Sequence, residues 1–170
     1  MDIELQPVGE IGPVLLEGLQ KGLADAIGYT VSINPCVPVP AQAYDAARDQ
    51  YLADTIIEEL YPYKRKGAYL LGVTGVNLFT QGKNFVFGKA SPATEVAVIS
   101  LHLLHGQGDK PDDGLLLQRA LKEAAHEIGH LLGMDHCSDD QCVMHFSGSL
   151  IDTDLKNAYF CSRCQPRLIP

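Results

Sequence analysis

The chain is organised around one segment, HEIGHLLGMDH, at residues 126–136. In an α-helix, side chains four residues apart lie on the same face, so His126 and His130 present their imidazoles to one point. Gly133 can adopt a positive φ that ends the helix and turns the chain, which brings His136 back towards that point. Three histidine nitrogens with a fourth position left open are typical of a catalytic zinc rather than a structural one. We therefore predict that His126, His130 and His136 hold a zinc ion.

Glu127 is the candidate catalytic residue. It directly follows the first predicted ligand, which places its carboxylate beside a water molecule on the metal. Zinc lowers the pKa of a bound water to about 7, and a carboxylate there can act as general base in a hydrolysis. Metal binding alone needs no base, so Glu127 favours an enzyme. Glu123, one turn earlier, is predicted to lie on the surface or to support the site.

Four of the five cysteines form two close pairs, Cys137 with Cys142 and Cys161 with Cys164. Four thiolates with no open position favour a closed, structural zinc site. Disulfides and buried free thiols are the alternatives, although nothing in the sequence indicates export to an oxidising compartment. We predict a second zinc here, and hence two zinc ions per chain. Because Cys137 adjoins His136, the second metal would also fix the third histidine.

Several other candidate residues are expected to lie outside the catalytic set. Cys36, in a proline-rich loop, is predicted to be an idle thiol, with a thiol that blocks the catalytic zinc as the alternative. His102 and His105 are three residues apart rather than four and are predicted to lie on the surface. Nothing in the spacing selects His145 or Tyr159 as a group that stabilises the oxyanion.

Length and composition exclude several classes of protein. A chain of 170 residues with 46% apolar and 20% charged residues is typical of a single soluble domain. No apolar run approaches a membrane span and the acidic N-terminus does not resemble a signal peptide, so we expect a cytoplasmic protein with no membrane partner. The net charge of −8, without a basic face, argues against nucleic acid as a partner. No feature indicates an oligomeric state.

Hydrophobic periodicity predicts an α/β (α+β) fold with a mixed sheet. Strands are predicted at residues 3–8, 29–33, 67–73, 84–90 and 95–101, of which the third and fifth are apolar enough to be buried on both faces. Helices are predicted at residues 12–28, 43–60, from Pro111 through the histidine segment, and at 149–159. Gly18 and Gly22 weaken the first of these helices.

The histidine segment, followed by Met144, resembles the metzincin pattern of zinc peptidases. The cysteine directly after the third histidine, the C-x4-C-x-M run and the later C-x2-C make the chain similar to the archaemetzincins in particular. These matches span about a quarter of the chain. The matching residues are His126, Glu127, His130, Gly133, His136, Cys137, Cys142, Met144, Cys161 and Cys164.

The resemblance implies a zinc metallopeptidase that hydrolyses peptide bonds of a peptide or protein substrate. It also implies a twisted mixed sheet, packed on helices, whose antiparallel edge strand borders the active-site cleft. Here that strand runs from Asn84 to Ala90, and an extended peptide could pair with its free backbone edge. The alternative is that this strand is a sheet edge with no role in substrate binding. Met144 would form an apolar floor beneath the metal. The expected division is a sheet-and-helix part at residues 1–133 and a zinc-stapled part at residues 134–170.

Two other functions remain as alternatives at this stage. One is a zinc-binding scaffold or binding protein whose metzincin-like site is idle or self-blocked. The other is a zinc ribbon that binds nucleic acid, which the cysteine set allows and the negative charge opposes. The presence of Glu127 favours the peptidase over both.

Overall fold

The computed structural model describes residues 2–106 and 112–168 of the chain. In chain order its elements are β1 (Asp2–Val8), α1 (Pro13–Ile27), β2 (Thr30–Ile33), β3 (Tyr44–Asp45), β4 (Gln50–Leu52), α2 (Ala53–Leu60), β5 (Ala68–Thr74), β6 (Leu78–Thr80), β7 (Lys83–Val86), β8 (Gly88–Ser91), β9 (Val96–Ser100), α3 (Asp113–Leu131) and α4 (Leu150–Leu155). Short 3₁₀ helices lie at Ala41–Ala43, Tyr61–Tyr63, His102–His105 and Gln165–Leu168. None of the described helices is long and apolar enough to cross a membrane.

A five-stranded sheet forms the centre of the fold, in the order β2-β1-β5-β9-β8. The first four strands in that order run parallel, and β8 lies antiparallel to β9 at the edge. Strands β5 and β9 are rich in apolar residues and buried on both faces, as parallel strands in layered folds are. The predicted mixed sheet with an antiparallel edge strand is confirmed.

Helices α1 and α3 cover one face of this sheet, and α2 covers the other together with a smaller sheet in the order β3-β4-β6-β7. Two glycines let α1 approach α3 closely. A Cβ at Gly18 would lie 2.6 Å from the Leu117 side chain, and a Cβ at Gly22 would lie 2.8 Å from that of Leu121. Gly18 and Gly22 lower the helix propensity of this segment, and close packing of α1 against α3 explains why glycine occupies both positions.

The helix predicted over residues 43–60 is wrong in its first half. Only α2, from Ala53 onward, is helical, and the preceding residues form β3 and β4 around a turn. The Asp45 carboxylate accepts hydrogen bonds from the backbone N–H groups of Ala47 and Arg48, at 2.9 and 3.2 Å. This local bonding closes the turn and competes with helix formation, so it overrides the apolar spacing.

The single edge strand predicted from Asn84 to Ala90 is in fact two strands, β7 and β8, separated at Phe87. Strand β7 pairs with β6 in the smaller sheet, whereas β8 pairs with β9 in the central sheet. At the break, the Phe87 ring is buried in the central core, and its carbonyl accepts a 2.7 Å hydrogen bond from the Ser100 N–H. Burial of this ring redirects the chain between the sheets, so of β7 and β8 only β8 lies at an edge of the central sheet.

The ends of the last two helices are set by polar groups. The Asp112 carboxylate caps α3 by accepting a 2.9 Å hydrogen bond from the Leu115 N–H, as predicted for this start. Pro111, predicted as part of the same start, lies outside the described residues. The helix predicted over 149–159 is shorter, because α4 stops where Lys156 turns into the protein interior.

Candidate active site

The three histidines predicted to bind a metal lie together at the C-terminal end of α3. One ring nitrogen from each lies within 4.8 Å of the others. Gly133 has a φ of 79°, and the turn there returns His136 towards the helix, as predicted. The ring centroid of His136 is 5.3 Å from that of His126 and 5.0 Å from that of His130.

The hydrogen bonds of the first two histidines leave Nε2 free in each. The Nδ1 atom of His126 lies 2.8 Å from the carbonyl oxygen of Val143, and that of His130 lies 2.8 Å from the carbonyl oxygen of Met134. Because a carbonyl oxygen only accepts, each Nδ1 carries the proton and each Nε2 presents a lone pair. Burial lowers the pKa of His126 to about 2, which keeps its imidazole neutral.

The spacing of these two lone pairs fits a metal ion. The Nε2 atoms of His126 and His130 are 3.1 Å apart. Two nitrogen ligands at about 2.05 Å on a tetrahedral zinc would be about 3.3 Å apart. Two lone pairs at such a distance repel each other unless a cation lies between them, so this donor set fits zinc.

Glu127 lines the same cavity as the three histidines and is only 5% exposed. Its side chain packs so closely on β8 that a Cβ at Gly88 would lie 2.7 Å from its Oε1 atom. Burial and the nearby Glu123 raise the pKa of Glu127 to about 8, against the opposing charges of Lys156 and Lys83. A carboxyl group whose pKa is near neutrality can accept a proton and return it.

The four paired cysteines also come together in space. Their sulfur atoms all lie within 4.8 Å of one another, and the Sγ atoms of Cys137 and Cys161 are 3.8 Å apart. Two thiolates at about 2.3 Å on a tetrahedral zinc are about 3.8 Å apart, whereas a disulfide needs about 2.05 Å. Burial opposes ionisation of Cys161, but hydrogen bonds from the backbone amides of Cys164 and Arg163 and from the thiols of Cys142 and Cys137 together outweigh it and lower the pKa of Cys161 to about 6. The geometry fits a four-thiolate metal site rather than two disulfides.

One short segment connects the two clusters. The Cys137 N–H donates a 2.9 Å hydrogen bond to the Met144 carbonyl, and the His145 ring donates from Nδ1 to the Cys137 carbonyl at 3.0 Å. Met144 is fully buried against α3, where any side chain at Gly129 would collide with its sulfur atom. Since Cys137 directly follows His136, the cysteine cluster and the third histidine share one stretch of backbone.

A cavity of 430 Å³ lies beside the histidines, walled by β7, β8, α3 and the segment from Phe146 to Gly148. The Phe146 ring lies 5.1 Å from the ring of His136 and flanks the site. Ser147 Oγ is buried and makes no hydrogen bond to any described residue.

A buried ion pair adjoins this cavity, and sequence analysis does not find it. Lys156 Nζ lies 3.2 Å from Glu123 Oε1, and the two side chains are 0% and 3% exposed. Thr153 donates a 3.1 Å hydrogen bond to the same oxygen, and Lys156 donates to the His145 carbonyl at 3.4 Å. Glu123 is therefore buried rather than on the surface, and its role in supporting the site stays a prediction. Its position four residues before Glu127 signals a shared helix face, but nothing local signals Lys156.

The other candidate residues lie apart from this constellation. Cys36 is exposed, donates to the Gly9 carbonyl at 3.2 Å and does not line the cavity. His102 and His105 are exposed, as predicted. Tyr159 is 62% exposed.

A helix with two histidines and a glutamate, a third histidine after a glycine turn, and a cleft at a sheet edge together define a zinc metallopeptidase. The chain belongs to peptidase family M54, whose profile matches residues 37–169. The archaemetzincin of Pyrococcus furiosus is 43% identical over 171 residues, which cover 95% of this chain and 89% of that protein. The archaemetzincin of Methanocaldococcus jannaschii is 39% identical over 99% of this chain and 93% of that protein.

Solved structures agree with this assignment. A zinc-dependent peptidase from Methanocorpusculum labreanum superposes with a TM-score of 0.91 at 30% identity, over 98% of this chain and 99% of that one. The archaemetzincin of Archaeoglobus fulgidus, solved in complex with malonate, gives a TM-score of 0.84 at 35% identity, again over 98% and 99%. The resemblance to archaemetzincins and the fold that it implies are confirmed.

Proposed function

We propose that the chain hydrolyses peptide bonds with a zinc ion bound by His126, His130 and His136 and with Glu127 as general base. One observation carries this proposal. The Nε2 atoms of His126 and His130 face each other at 3.1 Å while both Nδ1 atoms bond to backbone carbonyls. Outer hydrogen bonds of this kind orient imidazoles around a metal. When bound, zinc supplies Lewis acidity and lowers the pKa of a bound water.

Glu127 moves the proton in this proposal. Its carboxylate accepts a proton from the attacking water and then donates it to the departing amine. Burial and the nearby Glu123 make this carboxylate a stronger base than an exposed one, whereas the positive charge of a bound zinc would act in the opposite direction. The tight contact with Gly88 limits where the carboxylate can lie.

The substrate in this proposal is an extended peptide that adds to the edge of β8. That strand is the last in the central sheet and borders the cavity that holds Glu127. An unpaired strand edge can accept a peptide by β-augmentation, in which backbone bonds supply affinity and pockets supply specificity. A substrate side chain beside the scissile bond then enters the cavity of 430 Å³.

A second zinc ion, bound by Cys137, Cys142, Cys161 and Cys164, completes the proposal at two per chain. The Sγ–Sγ distance of 3.8 Å between Cys137 and Cys161 supports it. Four protein ligands leave no position for a substrate, so this ion is structural. It staples residues 134–170 together and steadies the third histidine of the catalytic site.

The self-blocked alternative has no specific support, because Cys36 is not among the residues that line the cavity. The test of the proposed function is reconstitution of metal-free protein with none, one or two equivalents of zinc, followed by incubation with a mixed peptide library and mass spectrometry. We expect two zinc ions per chain by elemental analysis, and cleavage only in the zinc-loaded samples. Protein that binds two zinc ions and cleaves no peptide would contradict the function. A content of one zinc or less would contradict the two-metal site.

A further inference from the structure

Lys83 places a positive charge over the cavity that contains the histidines. It begins β7 and lines the same cavity as Glu127. Its Nζ atom lies 5.3 Å from the centroid of the Phe146 ring, and that ring lies 5.1 Å from the ring of His136.

The ammonium group of Lys83 is free, whereas the other lysine that lines the cavity is paired. Lys89 contacts the Asp54 carboxylate at 2.5 Å and donates to Thr80 at 2.7 Å. Within residues 2–106 and 112–168, Lys83 Nζ lies near no carboxylate and makes no hydrogen bond. A free cation in a cleft of a chain with net charge −8 is available to an anionic ligand.

The backbone around Lys83 is fixed by the smaller sheet. Arg48 donates a 3.3 Å hydrogen bond to the Lys83 carbonyl, and its guanidinium lies 4.4 Å over the Phe79 ring. Gln50 donates to the Asn84 carbonyl at 2.9 Å. The strand is therefore held at two successive carbonyls while the Lys83 side chain stays free. A charge on a fixed backbone is partly preorganised for binding.

We propose that Lys83 binds a carboxylate of the substrate on the C-terminal side of the scissile bond, an inference that rests on the proposed function. Strand β8 begins at Gly88, the end nearer to Lys83 in sequence, and runs away from it to Ser91. A peptide that pairs antiparallel with β8 runs in the opposite direction, so its C-terminal end lies on the side of Lys83. Antiparallel pairs are the more stable per residue. The carboxylate can be the free C-terminus of a short peptide or an Asp or Glu side chain near that end.

Binding to the zinc-loaded Glu127→Gln protein tests this proposal without turnover. Three dye-labelled peptides are compared by fluorescence anisotropy. They share one sequence and differ in the C-terminal half: a free carboxylate, a C-terminal amide, or an amide with one Asn replaced by Asp. We expect at least one carboxylate peptide to bind about five- to tenfold more tightly than the neutral amide at low salt. This preference should vanish in roughly 0.5 M NaCl, because salt screens exposed charges.

Substitution of Lys83 assigns the preference to its ammonium group. In the same background, Lys83→Met should abolish the preference for a carboxylate, Lys83→Arg should retain it, and the exposed control Lys66→Met should leave it unchanged. The free C-terminus and the Asp side chain are distinguished by which peptide gains affinity.

The proposal is overturned if the three peptides bind equally well, if none binds, or if the preference survives in Lys83→Met. Failure of the proposed function has a different signature. If the wild-type protein cleaves peptides but shows no preference for a carboxylate, only the proposed role of Lys83 is refuted. If the protein binds carboxylate peptides through Lys83 but cleaves no peptide, only the proposed peptidase activity is refuted.

Discussion

Replacing Gly88 by alanine tests whether the position of Glu127 controls the reaction. The new Cβ would lie 2.7 Å from Glu127 Oε1, 2.8 Å from its Cγ and 3.0 Å from its Cδ. An ordinary contact between such atoms is about 3.5 Å, so the carboxylate has to move by roughly 0.8 Å. Glu127 cannot move freely, since it is 5% exposed and lies on a helix packed against the sheet.

A displacement of about 1 Å in a catalytic group can lower the rate about 100-fold, which is roughly 2.7 kcal/mol in the barrier. We therefore expect Gly88→Ala to lower kcat by about 10- to 100-fold. The fold should survive, because alanine loses less conformational entropy than glycine on folding and no positive φ is required at Gly88, the first residue of β8. The zinc content should also survive, because the three atoms nearest to the new Cβ all belong to Glu127, which is not a predicted ligand.

The assay is the steady-state rate on a cleaved peptide, with zinc per chain and melting temperature measured on the same samples. Gly75→Ala is the matched control, since a Cβ there meets no atom within 4 Å. A kcat for Gly88→Ala within about twofold of the wild type would refute the reasoning. So would a loss of zinc that accounts for the whole fall in rate.

Three further predictions concern stability and metal content. Lys156→Met should lower the unfolding free energy by about 3–5 kcal/mol, measured by chemical denaturation, because it leaves the Glu123 carboxylate buried without its cation. The double variant that also carries Glu123→Leu should regain most of this free energy. Equal stability of the single and double variants would contradict this reasoning. Hydrogen bonding to Arg119 lowers the pKa of Asp154 in the folded protein, so the stability that Asp154 contributes is complete above its unfolded pKa of about 3.9 and is lost as the pH falls through the folded pKa. The gap in unfolding free energy between wild type and Asp154→Asn should therefore be constant above about pH 5 and shrink below about pH 4, and a gap that widens in acid would be the wrong sign. Cys142→Ser should reduce zinc from two ions to about one per chain and lower the melting temperature, whereas an unchanged zinc content would exclude Cys142 as a ligand.

The histidine and cysteine clusters are predictable because their information is local. The i, i+4 spacing puts His126 and His130 on one face of a helix, and the turn at Gly133 needs only the conformational freedom of glycine. Both clusters come together as the spacing indicates. The identity of the bound metal, the number of ions and the division at residue 133 remain predictions.

The two failures have different causes, one local and one longer-range. A turn closed by the Asp45 side chain replaces half of the helix expected at residues 43–60, although the apolar spacing there is helical. Burial of Phe87 splits the expected edge strand, and this depends on the core of the central sheet rather than on the local sequence.

Two supporting contacts of the site are likewise invisible in the sequence. The ion pair of Lys156 with Glu123 and the contact of Gly88 with Glu127 each join residues far apart in the chain. Only tertiary packing brings these groups together, so no spacing rule signals them.

The most direct test of the central claim is the rate of peptide cleavage by wild type and by Glu127→Gln at equal, measured zinc loading. The amide is nearly isosteric with the carboxylate but cannot act as a base, so the account predicts that kcat falls by at least about 100-fold with both metals retained. Cleavage by Glu127→Gln at a rate close to that of the wild type would contradict the assignment of Glu127 as general base.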